Sequence, residues 1–329
     1  MENRHLRILH VIPYHSSASS FIFAKRQVED LSDLGHQNEV FYFKTTFSIW
    51  GFFKQLSALR KLVNEQKPQI IHAHYGTINA YFASRIKEIP LVVSFHGSDL
   101  NYTNDVHWIR EKLGKLLSRI AAEHARKIIC VSNQLQRNLP VGIEKSTVIP
   151  SGVDTRRFKK MNKQECKKSL GLSESINYIF FNANNPIIKR LDIALDVVEQ
   201  LKDYHIELLS LKGNVNPDEI PTYLNASNVV LLCSDSEGSP MVIKEALACG
   251  VPIVSTDVGD VKSTINEVDH CFIVPQDSIQ LAAKIQYLIE SAATSTNGLS
   301  ILKARKLDYL SSIKKVEEVY FSAINQING

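Results

Sequence analysis

Eleven short runs rich in β-branched, aliphatic and aromatic residues recur along this chain, with helical or turn-rich stretches between them. The first set reads RILHVI, NEVFYF, QIIHAH, PLVVSF, KIICVS and STVIP; the second reads NYIFFNA, IELLSL, NVVLLCS, PIVST and CFIVP. Parallel neighbours need a crossover long enough to bring the chain back to the same end of the sheet, so strand–helix alternation points to βαβ units. The expected fold class is α/β with open parallel sheets, and ligands are expected beyond the C-terminal ends of the strands. Phe23 to Leu34 carries one of the intervening helical patterns, closed by Gly35.

Two such sets in 329 residues exceed what one core ordinarily holds. Between them, IPSGVDTRRFKKMNKQECKKSL is turn-rich, then basic and polar, and reads as an interdomain linker near residues 152–172. The expected division is an α/β domain over 1–155, a second over 156–310 and a terminal helix over 311–329. From about Leu299 onward the pattern is that of a long helix with no strand after it.

Composition narrows the class. A formal charge of +4 and the lack of any Lys/Arg block argue against a nucleic-acid partner. The five cysteines, Cys130, Cys166, Cys233, Cys249 and Cys271, are scattered with no CxxC pair, and read as small buried hydrophobes in a reducing compartment. No run is long and apolar enough to span a bilayer, and ILHVIPY is too short for a signal-peptide core. The expected location is the cytoplasm, with contact at the inner membrane surface as a further expectation.

The most informative stretch is SDSEGSPMVIKEALACGVPIVST, from Ser234 to Thr256. NVVLLCS and PIVST are strands around a helix in which Ser239 suits the N-cap, Pro240 the first helical position and Gly250 the residue past the end. The first-turn amides, from Met241 and Val242 onward, lack intrahelical partners and with the helix dipole suit a diphosphate. Gly238 lets backbone approach a ligand closely. Glu237 stands at the mouth, where sugar hydroxyls can donate to it. Glu245 lies further along, where its two oxygens suit a ribose diol. The ordinary alternative is a helix with one acid near its start and another on its solvated face.

This block resembles the Glu-x7-Glu hallmark of the retaining glycosyltransferases of family 4. IIHAHYG, VSFHGSDL, CVSNQL, VIPSGVDTRRF and NPIIKRLDIALDVVEQL occur in that family's order, so the resemblance spans nearly the whole chain. It implies the GT-B fold: two Rossmann-like domains whose parallel sheets face a central cleft, and a C-terminal helix that crosses back to the first domain. The N-terminal domain would hold the acceptor and the C-terminal domain the nucleotide sugar. The implied reaction is hexosyl-type transfer with retention from a nucleotide-diphosphate donor, a UDP-sugar being favoured. The acceptor would be a glycan or lipid-linked molecule in bacterial surface polysaccharide or glycoconjugate synthesis. No cofactor and no metal are expected.

The resemblance also implies roles. Lys189 would neutralise the donor diphosphate, and Glu237 and His96 would position the donor sugar; by its own place two residues past Gly97 in the HGSD turn, Asp99 suits a bond to the His96 imidazole or a cap on the next helix. Asn184 stands where the family usually has an arginine; Arg190 is a candidate for the missing charge. In PYHSSASSFIFAKRQ, Ser20 and its neighbouring serines, with Phe21, replace a glycine-containing turn over the phosphates. Between IELLSLKG and NVVLLCS only PDEIPTYLNAS fits, where the family has an extra helix and strand near the base. His72 and His74 alternate along a strand and are expected on opposite sides. Two other readings stay open: a sugar-nucleotide epimerase of the same fold, and a nucleotide-sugar-binding protein or partner subunit with little turnover.

Residues 49–63 place Ile49, Phe52, Phe53, Leu56, Leu59 and Val63 at helical spacing, with Lys54, Arg60 and Lys61 alongside. A helix packed on its sheet is the favoured reading. Trp50 and the phenylalanines near its start also suit an anionic membrane surface.

Overall fold

The computed structural model describes residues 5–15, 20–44, 48–97, 99–100, 108–212, 215–293 and 295–325, without the side chains of 49 and 108–111. The chain divides into two compact units, Met1–Pro150 with Ser312–Gly329, and Ser151–Ser311.

The first unit runs β1 (Arg7–Pro13), α1 (Ile22–Asp33), β2 (Gln37–Phe43), α2 (Ile49–Gln66), β3 (Ile70–His74), α3 (Ile78–Ala83), β4 (Leu91–Phe95), α4 (Trp108–His124), β5 (Lys127–Cys130), α5 (Asn133–Arg137) and β6 (Ser146–Val148). All six strands are parallel, in the order β2-β1-β3-β4-β5-β6. The chain steps outward from β1 to β2 and returns to β3 on the other side of β1, so the order reverses between β1 and β3. Every residue of β3 and β4 is buried, because apolar side chains cover both faces of the sheet. Leu59, Phe82 and Ala121 pack one face; Leu31, Ile313, Val316 and Tyr320 pack the other.

The second unit runs α6 (Lys163–Ser169), β7 (Asn177–Asn182), α7 (Pro186–Lys189), α8 (Leu191–Gln200), β8 (Ile206–Leu211), α9 (Ile220–Ala226), β9 (Val229–Leu232), α10 (Met241–Cys249), β10 (Ile253–Ser255), α11 (Val261–Ile265), β11 (Cys271–Ile273), α12 (Ser278–Glu290) and α13 (Gly298–Ala304). Its sheet is again all parallel, in the order β11-β10-β9-β7-β8, with the reversal between β7 and β9. α14 (Tyr309–Asn325) follows, and from Ser312 onward it belongs to the first unit.

Three expectations change here. The stretch near 152–172 is not a linker: Val153, Phe158 and Cys166 are buried in the second unit, and Asn162 caps α6 by accepting from the amides of Gln164 and Glu165. Three well-spaced apolar side chains anchor a segment whose average composition is polar. The helix expected from about Leu299 is two helices, broken where Lys306 turns left-handed and Val153 bridges Asp308. Gly152 makes that approach possible, since a Cβ there would lie 2.4 Å from the Asp308 carbonyl oxygen.

The third correction concerns the histidines. Positions i and i+2 of a strand share a face, so His72 and His74 lie together, their ring centroids 4.1 Å apart. The β1–β3 register pairs His10 with His72, which adds a third imidazole to that face.

Candidate active site

In an open parallel sheet, the loops leaving two neighbouring strands on either side of the order reversal diverge and leave a crevice at their C-terminal ends. In the second unit those loops follow β7 and β9. The Asp235 amide, after β9, donates to the Ile188 carbonyl, after β7, at 2.9 Å and ties the two loops together.

The loop after β7 carries Lys189. Asn185 and Arg190 both adopt left-handed backbone and bracket the four-residue α7, so Lys189 is its last residue and α8 begins two residues later. Its ammonium pairs with Glu237 Oε1, which also accepts from Ser234 Oγ at 2.8 Å. The two side chains are only 16% and 12% exposed, so the pair is well shielded from solvent. Gly259, which no sequence motif singles out, closes against the loop between β9 and α10 that carries Glu237. Its φ is +63°, and a Cβ there would stand 2.8 Å from the Gly238 carbonyl oxygen and 3.2 Å from Glu237 Cβ.

Arg190 does not present a spare charge. Its guanidinium donates to Asp192 at 2.8 Å and to Asp235 at 3.2 Å, and Asp235 also accepts from Gln276 at 2.8 Å. Asn184 is exposed, its backbone amide donating to Asn182 Oδ1 at 3.1 Å.

Ser239 is not the N-cap of α10. Pro240 holds that place with no side-chain cap bond, while Gly250 ends the helix left-handed. The Ser239 hydroxyl instead donates to Asp260 Oδ2 at 2.6 Å and accepts from Lys244 Nζ. Lys244 is fully buried, which pulls its pKa down against the nearby Asp260 carboxylate. The sequence did carry a signal for it: a lysine among Val242, Ile243, Ala246 and Leu247, all of them core. Met241 and Glu245, one turn apart, are the two positions of α10 that are not fully buried. A cavity of 480 Å³ at the ends of β9, β10 and β11 is bordered by Ser234, Asp235, Thr256, Asp257 and Gln276.

In the first unit, His96 follows β4, its ring centroid 4.3 Å from that of Phe23 and 4.9 Å from that of Tyr75. Burial of the ring pulls its pKa down to about 3, and Nε2 is buried with no hydrogen-bond partner among the described residues. Asp99 neither bonds the imidazole nor caps a described helix. Its carboxylate accepts the backbone amides of Gly76, His96 and Gly97 at 2.8–3.1 Å. A buried carboxylate needs several donors at once; the turn after β4 supplies the His96 and Gly97 amides, and the loop after β3 supplies that of Gly76. Burial still pushes its pKa up, against the pull of those amides.

His10, His72 and His74 are fully buried, and each is pulled below its ordinary pKa chiefly by burial, His10 to about 4. His10 Nδ1 lies 3.2 Å from His74 Nε2, and His10 Nε2 lies 3.0 Å from Asn38 Oδ1. Ring nitrogens of all three fall within 4.8 Å of one another, a spacing that suits a metal ion. His72, however, already spends both nitrogens, on Tyr320 at 2.6 Å and Ser94 at 2.7 Å.

Ser20 Oγ lies 2.9 Å from His15 Nδ1, beside a 120 Å³ cavity past the end of β1. Phe21 takes φ 57°, the conformation that a glycine would adopt at no cost. Thus the second unit gathers Lys189, Glu237, Gly238 and Ser239 around one crevice; Asn184 and Arg190 flank it without turning a free charge towards it.

The sequence profile of Glycosyltransferase Family 4 matches residues 10–157, and that of Glycosyl transferases group 1 matches residues 185–291. The putative teichuronic acid biosynthesis glycosyltransferase TuaC of Bacillus subtilis is 30% identical over 253 residues, 70% of this chain and 64% of TuaC. An Escherichia coli protein, UDP-Gal:alpha-D-GlcNAc-diphosphoundecaprenol alpha-1,3-galactosyltransferase, is 28% identical over 267 residues, 68% of this chain and 67% of that protein. The chain thus spans under two thirds of the length of the Bacillus relative. Among solved structures, Anabaena HepE in complex with UDP and glucose matches with a TM-score of 0.75 at 19% identity, over 97% of this chain and all of HepE.

Proposed function

The chain belongs to glycosyltransferase family 4, and we propose that it transfers a sugar from a nucleotide-diphosphate donor, with retention at the anomeric carbon, to a glycan or lipid-linked acceptor. The observation that carries this reading is the Lys189–Glu237 pair, set at the strand-order reversal beside a helix whose first turn has no side-chain cap.

The proposed chemistry is charge stabilisation and positioning. The bond between the anomeric carbon and the leaving diphosphate breaks as the acceptor oxygen bonds that carbon on the same face. The acceptor proton passes to the diphosphate. Lys189 and the α10 amides take the growing negative charge, so the step is proposed without a metal. Glu237 holds donor-sugar hydroxyls, and Glu245 holds the ribose diol. His96 keeps the sugar-positioning role that the family resemblance gives it.

A UDP-sugar is our preferred donor, supported by the UDP-bound state of HepE and the donor named for the E. coli relative. The names of the two relatives favour a role in bacterial surface polysaccharide synthesis. A lipid-linked acceptor would give purpose to α2, which turns Trp50 and Phe53 outward at 84% and 63% exposure, next to Lys54. No helix among the described residues is long and apolar enough to cross a membrane. Peripheral contact at the cytoplasmic face fits this reading.

The first test is thermal stabilisation by UDP, GDP and ADP and by their common sugar conjugates, since a ligand of the folded state raises apparent stability. A shift with one base and its conjugates supports the reading and selects donors for transfer assays. Glu237→Ala should then abolish transfer while leaving the fold intact. Binding without transfer would favour the nucleotide-sugar-binding alternative, which the engagement of Arg190 by two carboxylates supports.

A further inference from the structure

We propose that Lys244 is a positioning residue of the donor site: with Asp260 it holds the Ser239 hydroxyl away from the start of α10 and so keeps the Met241 and Val242 amides open to a diphosphate, the next amide, Ile243, being taken by the Pro240 carbonyl at 3.2 Å. The inference rests on the reading of that helix start as the diphosphate site.

Ser-Pro is a favourable pair for an N-cap and first helical residue, because the hydroxyl caps an amide and proline has no amide to satisfy. The structure declines this solution. α10 starts one residue late, with Pro240 at φ −67° and ψ 113° in the cap position. The Ser239 hydrogen is spent on Asp260 at 2.6 Å, and its oxygen faces Lys244 Nζ.

Lys244 has a position that a leucine would fill at less cost, since a buried ammonium must recover its lost hydration through hydrogen bonds. It does so with three partners: the Ser151 carbonyl at 3.0 Å, Ser239 Oγ, and Asp260 Oδ2 at 3.3 Å. Helical side chains lean towards the helix amino end, which carries this ammonium back under the first turn. The three partners come from the start of the unit, the β9–α10 loop and the β10–α11 loop. The last of these also carries Gly259, which abuts Glu237 and Gly238. One clamp therefore fixes the uncapped helix start and the loop bearing the carboxylate.

A clamp with no role beyond stability is the competing account, and nucleotide selectivity separates the two. The variant Lys244→Met/Asp260→Leu removes both charges together, so neither is left buried alone, and frees the Ser239 hydroxyl to cap α10. Calorimetric titrations would compare UDP with UMP, GDP with GMP and ADP with AMP, on protein shown to be folded by its melting transition. The wild type should prefer one diphosphate over its monophosphate by about tenfold or more, the scale of charge-assisted hydrogen bonds. The double variant should lose most of that preference. Adding Ser239→Ala should restore it, because no hydroxyl remains to compete for the amides. If the triple variant binds diphosphate no better than the double, or if monophosphate affinity falls in step, Lys244 is only structural and the proposal is overturned. Should that charge-free variant not fold, Lys244→Leu/Asp260→Ala, which also removes both charges and both partners of the Ser239 hydroxyl, gives the same comparison with and without Ser239→Ala. A wild type with no preference for any diphosphate would refute the donor-site reading itself, and this proposal with it.

Discussion

Lys189 and Glu237, 48 residues apart in the chain, form an ion pair where the strand order of the second unit reverses. Both are largely shielded, so removing one partner leaves a poorly solvated charge. Lys189→Met should destabilise the protein by about 1–3 kcal/mol, and Lys189→Met/Glu237→Gln should recover part of that loss. Urea denaturation of the two variants checks the stability. Transfer should be lost in both, because the proposed charge stabilisation goes with Lys189.

Gly259 is set by sterics. Its left-handed φ and the 2.8 Å approach to the Gly238 carbonyl leave no room for a Cβ. Gly259→Ala should displace the Glu237–Gly238 loop and cost about 1–3 kcal/mol. Donor binding should weaken more than the melting temperature falls. Unchanged donor affinity in a folded Gly259→Ala protein would show that the loop tolerates the shift.

The His10–His72–His74 cluster makes the first unit sensitive to acid. Burial holds each imidazole neutral, His10 down to about 4, whereas an unfolded histidine titrates near 6.5. Below 6.5 the unfolded state binds more protons, so stability falls as pH falls from there towards 4 and recovers above 7. The expected slope is about 1.4 kcal/mol per pH unit for each histidine that stays neutral in the fold. Melting curves from pH 8 to pH 4 should show it, and His10→Asn should lower the slope by one histidine's share, His72 and His74 keeping the rest.

Tyr320 brings α14 onto the same cluster, its hydroxyl 2.6 Å from His72 Nδ1. Tyr320→Phe should cost about 1–3 kcal/mol, because a buried imidazole nitrogen loses its partner and nothing else changes in volume. Truncation before Ser312 should do far more, since it exposes the sheet face packed by Ile313, Val316 and Tyr320. Denaturation of both proteins provides the comparison.

Trp50→Ser/Phe53→Ser tests the membrane proposal. Both side chains face outward, so stability should change by less than about 0.5 kcal/mol. Sedimentation with vesicles containing anionic lipid should fall several-fold, and nucleotide binding should stay at the wild-type level. Equal sedimentation of variant and wild type removes α2 as a membrane contact.

Periodicity along the chain determined which segments are strands, because a buried parallel strand must be apolar along its length, and all eleven runs are strands in the structure. It also located Gly250 at the end of α10, a local requirement for left-handed backbone, and the Glu237–Glu245 block. What it misjudged depends on partners far away in sequence. The polar stretch after Pro150 joins a domain because Val153 and Phe158 find a core made by later residues, and Cys166 is buried as well. Ser239 looks like a cap locally, yet Asp260 and Lys244 compete for it from 21 and 5 positions away. Arg190 looks like a phosphate ligand until its guanidinium is divided between Asp192, two residues on, and Asp235, 45 residues on, and only the second of these is a matter of the fold. Local propensity acts over a turn or two of chain; buried charge and hydrogen bonding are settled by whichever group the tertiary fold brings within 3 Å, and only the folded chain decides that.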